Sequence, residues 1–229
     1  MANFVLVAGT FHGGWYWDSL AEKLRALGHG VFTPTLSGLQ AEGANTRPIN
    51  LDTHIDDVLA VISENELTNI TLVGWSYGGM VVTGVADRTN AQISKLIYLD
   101  AIMPKPGQCE WDLDLDEDKP GFLASCTDGL NLQPPEFLVQ MEPRVRPHPL
   151  ATKLQPLFYD QQKFDSFAKV FVFAQKWFHD PRVASPFKPI LERVQGEPGW
   201  STQTWLYGHD LLNEAPDEVY GLLIENASA

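Results

Sequence analysis

Short apolar runs alternate along the chain with longer stretches whose apolar residues recur at helical spacing. The apolar runs predict strands at residues 3–8, 30–34, 69–74, 92–100, 169–174 and 201–206. Helices are predicted at 15–27, from Thr53 onward, and at 78–88, 186–194 and 216–226. Strands and helices that alternate in this way form a mostly parallel sheet flanked by helices. The pattern therefore predicts an α/β fold.

The alternation stops between residue 103 and about residue 165, where proline and acidic residues accumulate. A structureless connection of this length is uncommon inside a compact domain, so the segment is expected to contain small elements of its own. The length of 229 residues suits one domain. We therefore predict a single domain over 1–229, with a core at 1–102 and 166–229 and an inserted lid at about 103–165.

Composition and charge narrow the class of protein. The apolar fraction of 44% and the charged fraction of 20% are ordinary for a globular protein. A net charge of −13 repels phosphate backbones and anionic membranes, so neither nucleic acid nor a membrane is expected as a partner. The first residues lack the basic region of a signal peptide. Together with two cysteines in no disulfide or metal pattern, this predicts a cytoplasmic protein; whether it forms a homodimer stays open.

Residues 74–78, Gly-Trp-Ser-Tyr-Gly, form the motif that carries most chemical information. An apolar strand precedes the motif, and a helix with small residues in its first turns follows it. Strand, sharp turn and helix are the context of a nucleophile elbow, which exposes a serine at the edge of an α/β-hydrolase sheet. Ser76 is therefore the predicted nucleophile.

A serine hydroxyl needs a base to act as a nucleophile at neutral pH. His209 follows the last predicted strand directly, where the base of this fold lies. The other five histidines lie in less suitable places. His209 is therefore the predicted base.

The remaining site residues follow from the same geometry. An oxyanion hole needs two backbone N–H groups, and we assign them to Tyr77, which follows the nucleophile, and to Thr10 on the glycine-rich loop after the first strand. The residues predicted to line the substrate pocket are Phe11, Trp15, Trp111 and Met103. No cluster of His, Cys, Asp or Glu has metal-ligand spacing, so neither a metal nor a cofactor is predicted.

Two aspartates compete for the role of the acid that orients the histidine. Asp180 lies on the loop after the strand at 169–174, the more usual place in this fold, whereas Asp100 ends the strand at 92–100. A carboxylate close to a strand's end reaches the imidazole more directly, so Asp100 is preferred and Asp180 is the alternative.

At these residues the sequence resembles the plant methylesterase and hydroxynitrile lyase family of α/β-hydrolases, and more closely its bacterial esterase relatives. The resemblance rests on His-Gly-Gly-Trp at 12–15, on the elbow with Gly79 and Met80, on His-Pro-Leu-Ala-Thr at 148–152 and on Gly-His-Asp at 208–210. It implies the α/β-hydrolase fold with an inserted lid and a cofactor-independent reaction on a small molecule.

Three departures from the family pattern bear on function. Ala8 replaces the histidine that usually precedes the first glycine, and the usual acid position falls near Trp177, which cannot serve. Relatives that share Tyr-Leu-Asp-Ala with residues 98–101 tend to lack the later acid, which favours Asp100. Gly9 and Asp210 stand where hydroxynitrile lyases carry threonine and lysine, which disfavours lyase activity.

The sequence thus predicts a serine hydrolase of the carboxylesterase or methylesterase type, which cleaves small esters with an apolar part through an acyl-enzyme at Ser76. One alternative is a non-hydrolytic enzyme on the same scaffold, either a C–C lyase or a polyketide tailoring enzyme. A ligand receptor that has lost turnover is the other alternative, and the intact serine and histidine argue against it.

Overall fold

A computed structural model describes residues 1–40, 48–176 and 185–227. The strands are β1 (Asn3–Val7), β2 (Gly30–Phe32), β3 (Ile70–Ser76), β4 (Ile93–Ala101), β5 (Asn131–Leu132), β6 (His148–Pro149), β7 (Lys169–Ala174) and β8 (Trp200–Trp205). Six of them form one sheet in the order β2-β1-β3-β4-β7-β8, with every neighbouring pair parallel. The strands β5 and β6 pair antiparallel by themselves.

Helices connect these strands. They are α1 (Asp18–Ala26), α2 (Leu51–Glu64), α3 (Gly78–Arg88), α4 (Lys119–Ser125), α5 (Glu136–Met141), α6 (Leu150–Leu154), α7 (Gln161–Asp165), α8 (Lys188–Val194), α9 (Leu211–Glu214) and α10 (Pro216–Glu225). Two 3₁₀ turns lie at Gly14–Trp17 and Glu110–Asp112. No helix in the described ranges is both long enough and apolar enough to cross a membrane.

The sheet separates two apolar cores. Alternate residues of a strand point to opposite faces, and in β4 Leu96 and Tyr98 join one core whereas Ile97 and Leu99 join the other. The helices α2, α3 and α8 cover the first face, and α1 and α10 cover the second. The central strand β3 is buried along Ile70–Trp75, as expected for a parallel strand covered on both faces.

The boundaries of two predicted helices differ from the pattern. The helix α2 begins at Leu51 rather than near Thr53, because Asn50 caps it: its side chain accepts from Thr53 N at 3.0 Å, and the Thr53 hydroxyl accepts from Asn50 N at 3.3 Å. The stretch predicted as one helix at 15–27 is a 3₁₀ turn followed by α1. The side chain of Asn50 explains the first change, whereas no side-chain cap marks the start of the 3₁₀ turn or of α1.

The segment 103–165 contains the short elements that its length led us to expect: a 3₁₀ turn, four helices and the β5–β6 pair. Its last helix, α7, packs on the main body, since Lys163 Nζ donates to the carbonyl of Thr89 at 3.1 Å. Its division from the core as a lid stays a prediction.

The strand order places the candidate site. From β1 the chain continues to β2 on one side of the sheet, and from β3 it continues through β4 and β7 to β8 on the other side. The connections that follow β1 and β3 therefore leave in opposite directions. In open parallel sheets the carboxyl edge at such a divergence forms a crevice where ligands bind. The loop after β1 and Ser76 at the end of β3 both lie there.

Close packing at the turn after β3 generates a first prediction. A Cβ atom on Gly78 would lie 2.4 Å from the backbone oxygen of Val7, whereas one on Gly221, inside α10, would meet nothing within 4 Å. We expect Gly78→Ala to lower the free energy of unfolding by about 1–3 kcal/mol through overpacking. Its control, Gly221→Ala, should raise that free energy by about 0.5–1 kcal/mol. Urea denaturation of both variants checks this, and equal effects would contradict it.

Candidate active site

Ser76 occupies a strained turn between β3 and α3. Its φ angle is 54°, in the left-handed region that L-residues seldom adopt. The turn is tight because Gly74 and Gly78 come together: a Cβ on Gly74 would lie 2.7 Å from the Gly78 carbonyl carbon. Such strain concentrates at functional sites. The backbone therefore has the geometry of the predicted nucleophile elbow.

His209 lies on the loop between β8 and α9, with its ring held on both faces. The Trp75 ring stacks at a centroid distance of 5.1 Å and the Phe187 ring at 5.0 Å. The indole Nε1 of Trp75 also donates to the His209 carbonyl oxygen at 2.9 Å. The imidazole is thus fixed in plane before any ligand binds.

Asp100 meets this imidazole at the end of β4. Its Oδ2 lies 2.7 Å from His209 Nδ1, and its Oδ1 accepts from the backbone N–H of Ala174 at 3.0 Å. Asp100 is fully buried and has a φ of 41°, so each of two adjacent strands has a strained residue near its carboxyl end. Burial raises the pKa of the Asp100 carboxyl, and the hydrogen bond from His209 opposes that rise. The alternative acid, Asp180, lies outside the described residues.

The loop after β1 brings Thr10 beside Ser76. Gly9 makes the approach possible, since a Cβ there would lie 2.7 Å from the Ser76 Cβ. Two contacts hold the loop: His12 Nδ1 donates to the Thr10 carbonyl at 2.7 Å, and the Phe11 N–H donates to His148 Nδ1 at 3.4 Å. Phe11 has a φ of 70°, a third strained residue at this edge of the sheet.

Tyr77, the second predicted oxyanion donor, immediately precedes α3. The first amides of a helix lack an acceptor within the helix, so the Tyr77 N–H is free of the helical ladder. Its side chain is fully buried, and the phenol donates to His54 Nδ1 at 2.8 Å. Burial raises the pKa of Tyr77, which keeps the phenol protonated as a donor. The side chain anchors the residue whose amide would face the oxyanion.

Two buried neutral histidines support these donors. His54 Nε2 lies 2.8 Å from the carbonyl of Ser37, which only accepts, so its Nδ1 is the acceptor for Tyr77. Burial lowers the pKa of His54 to about 4. His148 accepts from Phe11 on Nδ1 and pairs with the Thr152 hydroxyl on Nε2 at 3.0 Å, and burial lowers its pKa as well. Protonating either ring would remove an acceptor that this arrangement uses.

A cavity of about 130 Å³ lies beside Ser76. Its wall is mainly apolar and is drawn from the ends of two strands, the segment 103–165 and the start of α8. The apolar residues include Phe11, Ile102, Leu113, Phe122, Leu132 and Ile190. The polar groups in the wall include Thr10, Ser76, His148 and a buried set of charged residues, Glu110, Asp114 and Lys153. The cavity suits a small, largely apolar molecule with a polar group.

Of the four predicted pocket residues, Phe11 lines this cavity and three do not. The Trp15 ring packs on His12 and on the Arg144 guanidinium, 4.4 Å from its centroid. Trp111 turns toward Lys119, and Met103 is buried in the core below α3. Trp15, Trp111 and Met103 therefore do not line the cavity beside Ser76, and their role in a substrate pocket stays a prediction.

Phe187, Phe122 and Lys153 were missed in the sequence. Phe187 immediately precedes α8, and its position against His209 depends on how that helix packs. Lys153 follows the His-Pro-Leu-Ala-Thr motif directly, and a lysine so close to a lid motif was the one available signal. Side chains that reach a cavity through tertiary packing leave no local pattern.

Comparison with known proteins gives the family. The family model described as "Alpha/beta hydrolase family" matches residues 4–222. The chain therefore belongs to the α/β-hydrolase family, and the predicted fold is confirmed.

Individual relatives are more specific. The carbendazim hydrolyzing esterase of Nocardioides sp. (strain SG-4G) is 38% identical over 240 residues, which cover 96% of this chain and 97% of that protein. An alpha-hydroxynitrile lyase of Arabidopsis thaliana is 34% identical over 132 residues, covering 54% of this chain and 49% of the lyase. An extracellular α/β-hydrolase from a Paenibacillus species superposes with a TM-score of 0.83 at 22% identity, covering 100% of both chains. The predicted branch of the family is confirmed, and the predicted class of enzyme, an ester hydrolase, is supported.

The neutral state of His54 generates a second prediction. Its pKa in the folded chain is about 4, below the ordinary value of about 6.5 in an unfolded chain. Between these values only the unfolded chain takes up the proton, so stability is full above about pH 6.5 and falls as the pH decreases. We expect His54→Asn to reduce the slope of unfolding free energy against pH between 6 and 4.5 by about 1 kcal/mol per pH unit.

Urea denaturation at several pH values measures that slope, and denaturation at pH 8 verifies that His54→Asn is folded. An unchanged slope in the variant would show that His54 is protonated in the folded chain.

Proposed function

We propose that this chain is a cofactor-independent serine esterase that cleaves small esters with an apolar part. The observation that supports it most is the contact of His209 Nδ1 with Asp100 Oδ2 at 2.7 Å, next to a serine with a φ of 54°. A nucleophile, a base and a group that orients the base are the three parts that nucleophilic acyl transfer needs. The esterase relative that spans almost the whole chain supports the same class.

The proposed reaction has two halves. Ser76 Oγ attacks the ester carbonyl while His209 Nε2 takes the hydroxyl proton, and His209 then returns that proton to the departing alcohol. The acyl-enzyme remains on Ser76. Water attacks it in the second half, with His209 again taking and returning one proton, and the carboxylic acid leaves. The N–H groups of Tyr77 and Thr10 hold the negative oxygen of each tetrahedral intermediate.

Asp100 is the proposed acid. Its carboxylate accepts from His209 Nδ1, which fixes the tautomer whose Nε2 acts as the base toward Ser76 and stabilises the imidazolium that forms during transfer. The Ala174 N–H on its other oxygen helps to keep it ionised despite its burial. Asp180 stays the alternative until it is tested.

Lyase chemistry has less support. Asp210 stands where a lyase would carry lysine, and its carboxylate accepts from the Tyr16 hydroxyl at 2.7 Å. An anion in this position cannot supply the positive charge that a lysine would. Hydrolysis therefore remains the proposal. Because the name of one relative includes carbendazim, that compound is the first one to test in an ester screen.

Three further assignments stay predictions. The segment 103–165 is proposed as the lid, because it supplies much of the cavity wall beside Ser76. The cytoplasm is proposed as the compartment, although one structural neighbour is named extracellular. The oligomeric state is open.

The third prediction tests the nucleophile and the base. Ser76→Ala and His209→Ala should each lower kcat for p-nitrophenyl esters by at least about 10³-fold, because only oxyanion and binding contributions then remain. The control is Ser63→Ala, on the exposed face of α2, which should retain full activity.

A serine-directed phosphonate provides the second measurement. It should label the parent once per chain and leave Ser76→Ala unlabelled. Turnover by Ser76→Ala within tenfold of the parent would reject the mechanism, and a parent that is labelled but turns over no ester would favour a receptor.

The fourth prediction concerns the acid. Asp100→Asn should lower kcat by about 10⁴-fold, because asparagine stabilises the wrong imidazole tautomer. Asp180→Asn should cost little. Steady-state kinetics of both variants, with circular dichroism to verify folding, decide between them. A large loss in Asp180→Asn with a small one in Asp100→Asn would transfer the role to Asp180.

A further inference from the structure

The imidazole of His209, the proposed base, belongs to a stack of four nearly parallel rings. Trp75 and Phe187 face the imidazole with angles of 30° and 11° between the ring planes, and the Tyr16 ring stacks on Trp75 at 20°. The centroids of Tyr16 and Trp75 are 4.2 Å apart. Stacked aromatic pairs stabilise one another beyond the apolar area that they bury. The stack is therefore a rigid support built around the base.

Several contacts fix the Trp75 indole in this stack. Its Nε1 donates to the His209 carbonyl oxygen at 2.9 Å, and the edge of the His12 ring meets it at a centroid distance of 5.1 Å. The Tyr16 hydroxyl donates to Asp210 Oδ1 at 2.7 Å. Trp75 is thus linked to the loop at 209–210 twice, once directly and once through Tyr16. The indole and the imidazole are held in one relative position.

The two rings that face His209 differ in their relation to the cavity. Phe187 belongs to the first apolar core and lines the cavity beside Ser76. Trp75 is 5% exposed, belongs to the second core, and is not among the described residues that line this cavity. A substitution of Phe187 would therefore change contacts with a ligand as well as with the base. A substitution of Trp75 would affect a ligand only through the residues that Trp75 positions.

Proton transfer places two demands on the imidazole that the stack meets. The ring must keep one orientation, and the hydrogen bond to Asp100 at 2.7 Å fixes only one of its atoms. Rings on both faces prevent the imidazole from tilting about that bond. The ring must also accept a positive charge, and aromatic faces attract cations, with the face of tryptophan the most effective. The Trp75 indole can therefore both orient the base and stabilise its protonated form during transfer.

We propose that Trp75 is a positioning residue for the reaction at Ser76: its indole holds the His209 ring in the orientation for proton transfer and stabilises the imidazolium that forms there. This rests on the proposed function, because it requires His209 to act as the base. Trp75 acts through His209 and not on the substrate. Its loss should therefore slow the transfer of the acyl group and leave the binding of the ester unchanged.

Pre-steady-state acylation by a p-nitrophenyl ester tests this role, because it gives the dissociation constant of the ester and the acylation rate constant separately. Both constants are referred to the sites titrated by a serine-directed phosphonate, so that unfolded protein does not count. Trp75→Leu removes the aromatic face and the N–H donor. It should lower the acylation rate constant by about 10- to 100-fold and change the dissociation constant by less than about twofold.

Two further variants make the test specific. Trp75→Phe keeps an aromatic face and loses the hydrogen bond to the His209 carbonyl, so the acylation rate constant should fall by only about two- to tenfold. This variant carries the test if Trp75→Leu does not fold. The control is Trp205→Leu, which removes a half-buried tryptophan from β8, the strand that leads to His209; the indole of Trp205 donates to the Gln203 side chain at 2.9 Å. It should leave both constants as in the parent.

The outcomes separate this role from the proposed function. Acylation of the Trp75 variants at the parent's rate, weaker ester binding at an unchanged rate, or an equal loss in Trp205→Leu overturns the role of Trp75 and leaves the esterase intact. If the phosphonate labels Ser76 but no ester is turned over, the rate constant of labelling, which also requires the base, replaces that of acylation. An absence of both turnover and labelling in the parent rejects the proposed function itself.

Discussion

A carboxylate that is completely removed from water joins distant parts of this chain. Asp100 bonds the His209 ring on one oxygen and the Ala174 amide on the other, so it connects the ends of β4 and β7 to the loop after β8. Burying an ion without partners would cost far more than the fold can supply. The sheet register, the tight turn at Ser76 and the loop that carries His209 must therefore all be correct for Asp100 to be accommodated.

The strained residues at the carboxyl edge follow from the same constraint. Ser76 and Asp100 lie near the carboxyl ends of adjacent parallel strands, and the pairing of β3 with β4 shifts between Trp75 and Ser76. Because Trp75 pairs with Leu99 and Ser76 with Ala101, the shift leaves Asp100 without a partner residue in β3. Because the Ile102 amide donates to the Ser76 carbonyl at 3.0 Å, the distortion is held by the backbone itself rather than by a ligand.

The sequence pattern predicted the parts of the structure that local interactions determine, namely the strands and the turn at Ser76. The apolar runs predicted the six strands of the main sheet to within a few residues, and the glycines at 74 and 78 predicted the turn between β3 and α3. The cavity wall was different, since Trp15 is held by Arg144 and Trp111 faces Lys119, two contacts that no periodicity encodes. Glu110, Asp114 and Lys153 were unremarkable in an acidic, proline-rich stretch until the fold brought them together.

One short stretch links the two sides of the candidate site. His148 accepts the Phe11 amide and so shapes the loop that carries Thr10, and five residues later Lys153 neutralises Glu110 and Asp114 in the cavity wall. Lys153 lies within α6, which starts two residues after His148, so both contacts are made by one short stretch of chain. The loop that carries Thr10 and the charged part of the cavity wall therefore both depend on residues 148–153.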